Sequence, residues 1–245
     1  MKFIFGFLII CIPTFCQTNN SLQADRPDQT ETPAIVPTGM FQVESGFTFQ
    51  KNNDTSYSNS LPSTLWKYGV NANFELRLIT EFENENNDHK TIYGLKPILL
   101  GCKIKVLDEK GIIPKTSFIG HVAVPMLASP DYKADFFAPE FRFTMQHSIS
   151  QKISLGYNLG AEWDGFSPEA TFIYTFTTGF VITKKIGFYA ELFGFAPQNQ
   201  IANHSIDGGF TYLVNSNLMI DASIAFGLTE NAPKNYLALG FSFRI

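Results

Sequence analysis

Long segments of this chain alternate apolar and polar residues with a period of two. In the last segment, Leu237, Leu239, Phe241, Phe243 and Ile245 alternate with residues that are small or polar. Successive side chains of a β-strand point to opposite faces of a sheet, so each such segment has one wholly apolar face. The sequence therefore predicts strands whose two faces meet different surroundings.

The alternation predicts about twelve strands, most of them longer than strands of soluble proteins, which usually have about five or six residues. A tilted strand needs about nine to eleven residues to cross a membrane as part of a barrel. Tight connections alternate with longer polar ones, as in barrels with short turns on one rim and long loops on the other. The predicted strands are 40–50, 62–70, 74–83, 95–107, 115–128, 138–148, 152–164, 168–182, 186–197, 205–214, 217–228 and 235–245.

The composition agrees with a wall that has no water-exposed outer surface. Hydrophobic residues make up 44% of the chain and charged residues only 16%, and 25 residues are Phe. The mean hydropathy is nevertheless −0.00, because the apolar and polar faces cancel. A net charge of −4 with so many aromatic residues excludes a disordered acidic tail and a nucleic-acid partner.

The N-terminus predicts export. Residues 1–16, MKFIFGFLIICIPTFC, have the basic start and short apolar stretch of a secretory signal peptide. Its removal leaves Cys102 without a disulfide partner, and we interpret this residue as a small apolar side chain. The following segment, 17–39, is polar and contains three prolines, so it is predicted to lie on the periplasmic side of a barrel formed by 40–245.

These patterns together predict an all-β fold. We expect a single transmembrane antiparallel β-barrel of about twelve strands in the outer membrane of a Gram-negative bacterium, surrounded by outer-membrane lipid and lipopolysaccharide. No stretch after the leader has eighteen apolar residues without a charge, as a helical span requires. A secreted β-sandwich or lipocalin is the alternative, with the apolar face turned inward. The many Gly, Ser and Thr residues on the polar face favour the membrane barrel.

If the apolar face meets lipid, the polar face lines a lumen. Buried charges are costly unless they are paired, so these groups are expected to form a network. The network is either a structural feature that closes the barrel and fixes strand register, or a polar constriction that selects small solutes. The predicted luminal residues are Glu44, Lys67, Glu75, Arg77, Lys103, Lys105, Glu140, Arg142, Glu162, Glu191, Asp207, Asp221 and Arg244.

The polar N-terminal segment carries four charged residues that suit such a lumen. Asp25, Arg26, Asp28 and Glu31 are expected to enter the barrel and pair with luminal charges of opposite sign. This makes them candidates for a plug or gate, and a disordered stub is the alternative.

An outer-membrane lipid enzyme is a less favoured hypothesis. His147 and Ser148 are adjacent on a strand and point to opposite faces, so they cannot form a catalytic pair. His121 points into the lumen, where it would need a serine from across the barrel. The sequence has no metal-ligand spacing and no phosphate loop, so no metal, no cofactor and no enzymatic activity are predicted.

An acidic stretch interrupts the strand pattern near residue 85. Glu81, Glu83, Glu85 and Asp88 alternate with other residues as calcium ligands do, but the turn-forming glycine of a calcium loop is missing. We interpret the stretch as a solvated external loop that contacts divalent cations at the lipopolysaccharide surface.

Several motifs resemble those of one family. They are Ala24-Asp25-Arg26-Pro27-Asp28-Gln29-Thr30-Glu31-Thr32-Pro33, Gly39-x-Phe41-Gln42-Val43-Glu44, Phe74-Glu75-Leu76-Arg77, Tyr189-x-Glu191 and Asp207-x-Gly209. These motifs resemble the transporter-like outer-membrane proteins named after the meta-pathway of phenol degradation. The resemblance spans residues 24–245 and implies a porin-like barrel with a channel function for a small solute, including hydrophobic or aromatic ones. It does not imply phenol as the substrate.

The last strand also resembles a known signal. Gly240, Phe241, Phe243 and Ile245 resemble the C-terminal insertion signal of outer-membrane barrels. The resemblance implies that this strand is recognised by the barrel-assembly machinery.

Overall fold

A computed structural model of the chain describes residues 21–87 and 90–245; the predicted signal peptide lies outside them. Almost all regular structure in this part is β-strand, with two short 3₁₀-helices at Pro125–Leu127 and Pro130–Tyr132. No helix in the described ranges is long and apolar enough to cross a membrane. The strands are β1 (Phe41–Lys51), β2 (Ser56–Asn71), β3 (Phe74–Asn87), β4 (Lys90–Leu95), β5 (Ile98–Leu107), β6 (Lys115–Val124), β7 (Ala138–Ser148), β8 (Ile153–Glu162), β9 (Thr171–Val181), β10 (Ile186–Pro197), β11 (Asn203–Asn215), β12 (Leu218–Gly227) and β13 (Asn235–Arg244).

The strands pair in chain order and the sheet closes on itself. The first strand pairs antiparallel with the last, from Gln42 opposite Arg244 to Lys51 opposite Asn235. β4 and β5 both pair with β3, and they are separated by Lys96 and Pro97. Proline has no N–H to donate to the ladder, so the strand breaks there and its two pieces share one place in the wall. The predicted closed barrel of twelve antiparallel strands is confirmed.

Burial in this barrel is the reverse of burial in a soluble protein. On β13, Leu237, Leu239 and Phe241 are 47%, 46% and 37% exposed on the outer face, while Ala238 and Ser242 of the alternate positions are buried. Large apolar side chains cover the outside of the other strands as well, and the buried residues are mainly polar or charged. The soluble sandwich or lipocalin is therefore wrong, and the prediction of an outer-membrane barrel is confirmed.

The connections follow the predicted alternation in part, since the connection between β1 and β2 is shorter than predicted. Tight turns join β2 to β3 and β11 to β12, and they lie on what we call the short-turn rim. Longer segments, 125–137, 163–170 and 228–234, connect strands on the opposite, long-loop rim. In barrels of this kind, short turns face the periplasm and long loops face the exterior.

Some predicted boundaries are wrong. Strands β2 and β3 extend well beyond their predicted ends, so most of the predicted loops 51–61 and 84–94 is strand. Pro62 lies inside β2 rather than at its end. Conversely, β6 ends at Val124 because Pro125 begins a 3₁₀-helix.

The predicted acidic loop also lies mainly in a strand. Glu81, Glu83 and Glu85 belong to β3, where Glu83 is buried and Ser60 bonds the carboxylates of Glu81 and Glu83. Asp88 lies outside the described residues.

The outer face gives a test of the lipid-facing assignment. Leu239 lies near the middle of β13 on the apolar face, so Leu239→Arg should lower the free energy of unfolding from lipid vesicles by about 2–4 kcal/mol. The matched control is Ile201→Arg in a long-loop segment, where the side chain is 72% exposed and little change is expected. Urea titration of both variants in phosphatidylcholine vesicles measures the difference; equal losses would contradict the assignment.

Candidate functional site: the charged lumen

The segment from residue 21 to residue 39 runs inside the barrel. At the short-turn rim, the Leu22 N–H donates to the Ser216 carbonyl at 2.8 Å, and the Gly39 N–H donates to Gly69 at 2.7 Å just before β1 begins. Between these points the segment contacts inner-face residues of strands all around the wall. The four plug candidates of the sequence all lie in this luminal stretch.

Asp25 is the most densely paired residue of the segment. Its carboxylate lies 3.0 Å from Lys67, 2.9 Å from Arg77 and 2.9 Å from Lys103, which project from β2, β3 and β5. The Arg77 and Lys103 side chains are fully buried, so water does not screen these pairs. One carboxylate thus connects three strands of the wall.

Two carboxylates of the wall complete the charge balance around Asp25. Glu44 contacts Lys67 and accepts the Asp25 N–H at 2.8 Å, and Glu75 lies 3.1 Å from Arg77. Three acidic and three basic groups are therefore buried together, as the energetics of buried charge require. We call this set the Asp25 cluster; it consists of Asp25, Glu44, Lys67, Glu75, Arg77 and Lys103.

Arg26 lies against the other side of the wall. Its guanidinium forms an ion pair with Asp221 of β12 at 3.0 Å. It fits because Gly46 and Gly240 have no side chains: a Cβ on either would lie within 2.5 Å of the guanidinium. These glycines permit a close approach that any larger residue would block.

Asp28, Gln29 and Thr30 are held mainly by hydrogen bonds. The Gln29 N–H donates to Glu191 at 2.7 Å, and the Gln29 carbonyl accepts from Arg142 at 3.2 Å. Thr30 bonds the Thr175 hydroxyl at 2.6 Å and also contacts Glu191. Asp28 forms no ion pair with any residue in the described ranges.

Glu31 ends this stretch and is fixed more firmly. Its carboxylate lies 2.6 Å from Arg77, and Asn158 bonds both its backbone N–H, at 2.7 Å, and its carbonyl, at 3.0 Å. Asn158 is fully buried on β8. The segment therefore has firmly held residues on both sides of Asp28, Gln29 and Thr30.

The other predicted luminal residues fall into two groups. Glu140 bonds His121 at 2.6 Å, and Glu162 lies opposite Glu140 on β8 without a bonded partner in the described structure. Lys105 and Arg244 lie instead near the short-turn rim, where they contact Asp108 and Asn217 of the turns at 2.9 Å. Parity along a strand predicts the face of a side chain but not its height, so the sequence does not predict the position of these two residues near the rim.

Neutral residues also form hydrogen bonds in this lumen. Asp207 accepts hydrogen bonds from Tyr189 at 2.9 Å and Tyr236 at 2.6 Å, and both tyrosines are buried. Sequence reasoning selected charged residues and missed these donors, as it missed Asn158 and Thr175. The same period-two pattern that placed Glu191 would have placed Tyr189 on the same face.

In the described structure, no serine hydroxyl is hydrogen-bonded to His121. His121 contacts Arg77 at 3.1 Å as well as Glu140, and neither partner is a hydroxyl nucleophile. His147 bonds Tyr157 at 3.3 Å, and Ser148 bonds Glu109 at 2.8 Å. Over residues 21–87 and 90–245, no group of three potential ligands is arranged to hold a metal ion.

A cavity of about 810 Å³ opens above the segment toward the long-loop rim, and we call it the vestibule. Residues of the segment form its floor, and Ile79, Leu99 and Trp163 are among the apolar residues of its walls. Acidic residues of its lining outnumber basic ones. At its mouth, hydrogen bonds from the backbone N–H groups of Phe166 and Ser167 lower the pKa of Asp164.

The sequence matches one known protein family. A family model described as "Putative MetA-pathway of phenol degradation" matches residues 24–245. The chain belongs to this family. The phenol-degradation family match begins at Ala24, so it includes the luminal segment as well as the whole barrel. The sequence matches no curated protein.

Solved structures show the same architecture for this family member. An outer membrane channel from Pseudomonas putida F1 superposes with a TM-score of 0.70 at 11% identity, over 90% of this chain and 99% of that one. The NanC porin superposes with a TM-score of 0.57 at 9% identity, over 83% of this chain and 98% of the porin. The translocator domain of autotransporter NalP from Neisseria meningitidis superposes with a TM-score of 0.50 at 10% identity, over 86% of this chain and 90% of that domain. At these identities the likeness establishes the fold.

The Asp25 cluster gives a test of how the segment is held. Asp25→Asn should lower the free energy of unfolding by about 3–5 kcal/mol, because it leaves buried cations without their shared carboxylate. It should also expose residues 21–39 to proteolysis. Asp131→Asn is the control: its pair with Lys90 is half-exposed and should contribute at most about 1 kcal/mol. A variant as stable and protease-resistant as the control would contradict the role assigned to Asp25.

Proposed function

We propose that this protein is a passive outer-membrane channel for small solutes, and that the segment from residue 21 to residue 39 is a plug that narrows its lumen. The observation that carries the proposal is the vestibule, a cavity large enough for a small molecule that ends on the segment. The channel from Pseudomonas putida F1, which has the same fold, supports it.

The lining of the vestibule suggests the class of solute. Its acidic excess repels anions and attracts cations, since charges in a confined, poorly screened space act strongly. Its apolar and aromatic residues, including Tyr132, Trp163 and Phe166, offer surfaces for a ring or a short hydrocarbon. We propose neutral or cationic solutes of small size, aromatic ones among them, as the cargo.

A structural barrel without transport is the second candidate. It is favoured by the Asp25 cluster, whose six buried charged groups connect β1, β2, β3 and β5 to the segment. A network this complete would stabilise a permanently closed barrel equally well. Conductance separates the two candidates.

We expect the refolded mature protein to conduct ions in planar bilayers, and deletion of residues 20–36 to increase its unit conductance and its solute flux in liposomes several-fold. The physical reason is that the deletion removes the floor of the vestibule. Heat-modifiable migration in detergent gels serves as the control for a folded barrel. Unchanged flux through a folded deletion variant would refute the plug, and absence of conductance in both proteins would support the structural barrel.

Charge selectivity gives a separate test. The reversal potential in a potassium chloride gradient should show that the channel prefers potassium to chloride. Glu162→Gln should reduce this preference, because Glu162 faces the vestibule without a bonded cation in the described structure. Glu230→Gln, which changes the same charge in a long loop away from the vestibule lining, is the matched control. A preference for chloride in the unaltered protein would contradict the proposed solute class.

The C-terminal strand is proposed to be the element that the assembly machinery recognises. Phe241 projects from the outer face of β13, and Phe243 stacks on it with ring centroids 6.4 Å apart. This arrangement presents a continuous aromatic surface to a partner in the membrane.

A further inference from the structure

A second cavity lies on the other side of the segment, toward the short-turn rim. It has a volume of about 100 Å³, and its wall residues include Ser154, Gly156 and Gly179 of β8 and β9. Two residues of the segment, Asp28 and Glu31, line both this cavity and the vestibule. The stretch between them therefore borders both spaces.

The opposite side of the lumen is different. A cavity of about 190 Å³ near the short-turn rim is lined there by Ile35, Lys67 and Lys115, among others. It shares no lining residue with the vestibule, and the Asp25 cluster lies in the same part of the lumen. Buried ion pairs and a second layer of chain thus block that side.

The separating stretch is attached to the wall without an ion pair in the described structure. Gln29 and Thr30 are held by hydrogen bonds to Glu191, Arg142 and Thr175, and Asp28 has no ion pair in the described structure. Each such bond contributes less than a network of buried ion pairs. The residues that flank the stretch are held by ion pairs, Arg26 by Asp221 and Glu31 by Arg77. Motion of the stretch therefore does not require the Asp25 cluster to break.

The wall facing this stretch is built from small side chains. Gly156 lies opposite Thr177 and Ser154 lies opposite Gly179 in the β8–β9 pairing. A Cβ on Gly156 would lie 3.2 Å from the Thr30 methyl group, so the stretch lies directly against this wall. Small residues on the wall leave space beside the stretch that larger ones would fill.

We propose that solutes cross the lumen between the inner face of β8–β9 and the stretch Asp28–Thr30, and that this stretch is the movable gate of the channel. Asp25 and Glu31 remain in place while the gate moves. Asp28, which lines both cavities, is the carboxylate that a passing solute meets at the narrowest point. This inference rests on the proposed channel function.

A reversible disulfide tests the gate. The Thr30 and Thr175 hydroxyl oxygens lie 2.6 Å apart, so Thr30→Cys with Thr175→Cys, in a Cys102→Ala background, places two sulfurs within bonding reach. Oxidation should lower unit conductance at least tenfold and reduction should restore it. The control pair is Ser45→Cys with Thr64→Cys, whose hydroxyls lie 2.8 Å apart between β1 and β2. Oxidation of that pair should leave conductance unchanged.

A second pair of variants needs no disulfide. Ser154→Trp fills the cavity below the gate and should reduce conductance strongly, whereas Lys115→Trp fills the cavity on the opposite side and should not. Heat-modifiable migration confirms that both barrels are folded.

The outcomes separate this inference from the channel function itself. If the unaltered protein does not conduct, the proposed function fails. If it conducts and neither the oxidised Thr30→Cys/Thr175→Cys protein nor Ser154→Trp is impaired, the channel stands and the assigned gate is wrong. Equal loss of conductance in the control variants would also overturn the assignment.

Discussion

Closure of the sheet is the constraint on which the rest of this structure depends. A strand edge exposed to lipid would leave backbone N–H and C=O groups without partners, and such groups cost several kcal/mol each in a medium that offers no hydrogen bonds. Pairing of β1 with β13 removes both edges. The apolar face can then point outward to lipid, and most polar side chains of the alternation lie in one enclosed space.

That enclosed space explains the burial of so many charges. A soluble protein would leave Lys67, Arg77 and Lys103 in water, but here their strands direct them inward. Carboxylates from the wall balance part of this charge, and Asp25 of the N-terminal segment supplies the rest. The segment is therefore an electrostatic component of the barrel, not an appendage to it.

The attachment of the segment is uneven, and this unevenness has functional meaning. Around Asp25 the contacts are buried ion pairs, whereas around Gln29 they are hydrogen bonds to Glu191 and Arg142. A plug held equally on all sides would open only by leaving the barrel. One that is held by ion pairs at Arg26 and Glu31, and by hydrogen bonds alone between them, can open locally.

The fold could be predicted largely from the sequence because the side-chain period of a strand is fixed by its backbone geometry. The alternation predicts Glu44, Glu75 and Glu191 on the inner face, and all three are buried. It does not predict height along the barrel, so it does not predict that Lys105 and Arg244 lie near a rim. It also mislocated strand ends near Pro62 and Pro125, since proline is tolerated or excluded according to whether a neighbouring strand needs its N–H.

The sequence by itself thus determined the all-β class, the outward apolar face and the charged character of the lumen, because these follow from composition and a period of two. Only the tertiary structure decided which charges meet. Lys67, Lys103 and Asp25 are far apart in the chain, and their contact depends on barrel circumference, strand register and the path of the luminal segment. The stretch without ion pairs between Arg26 and Glu31 is likewise a property of that path. Nothing in the local sequence distinguishes Asp25, which pairs with three cations, from Asp28, which has no ion pair in the described structure.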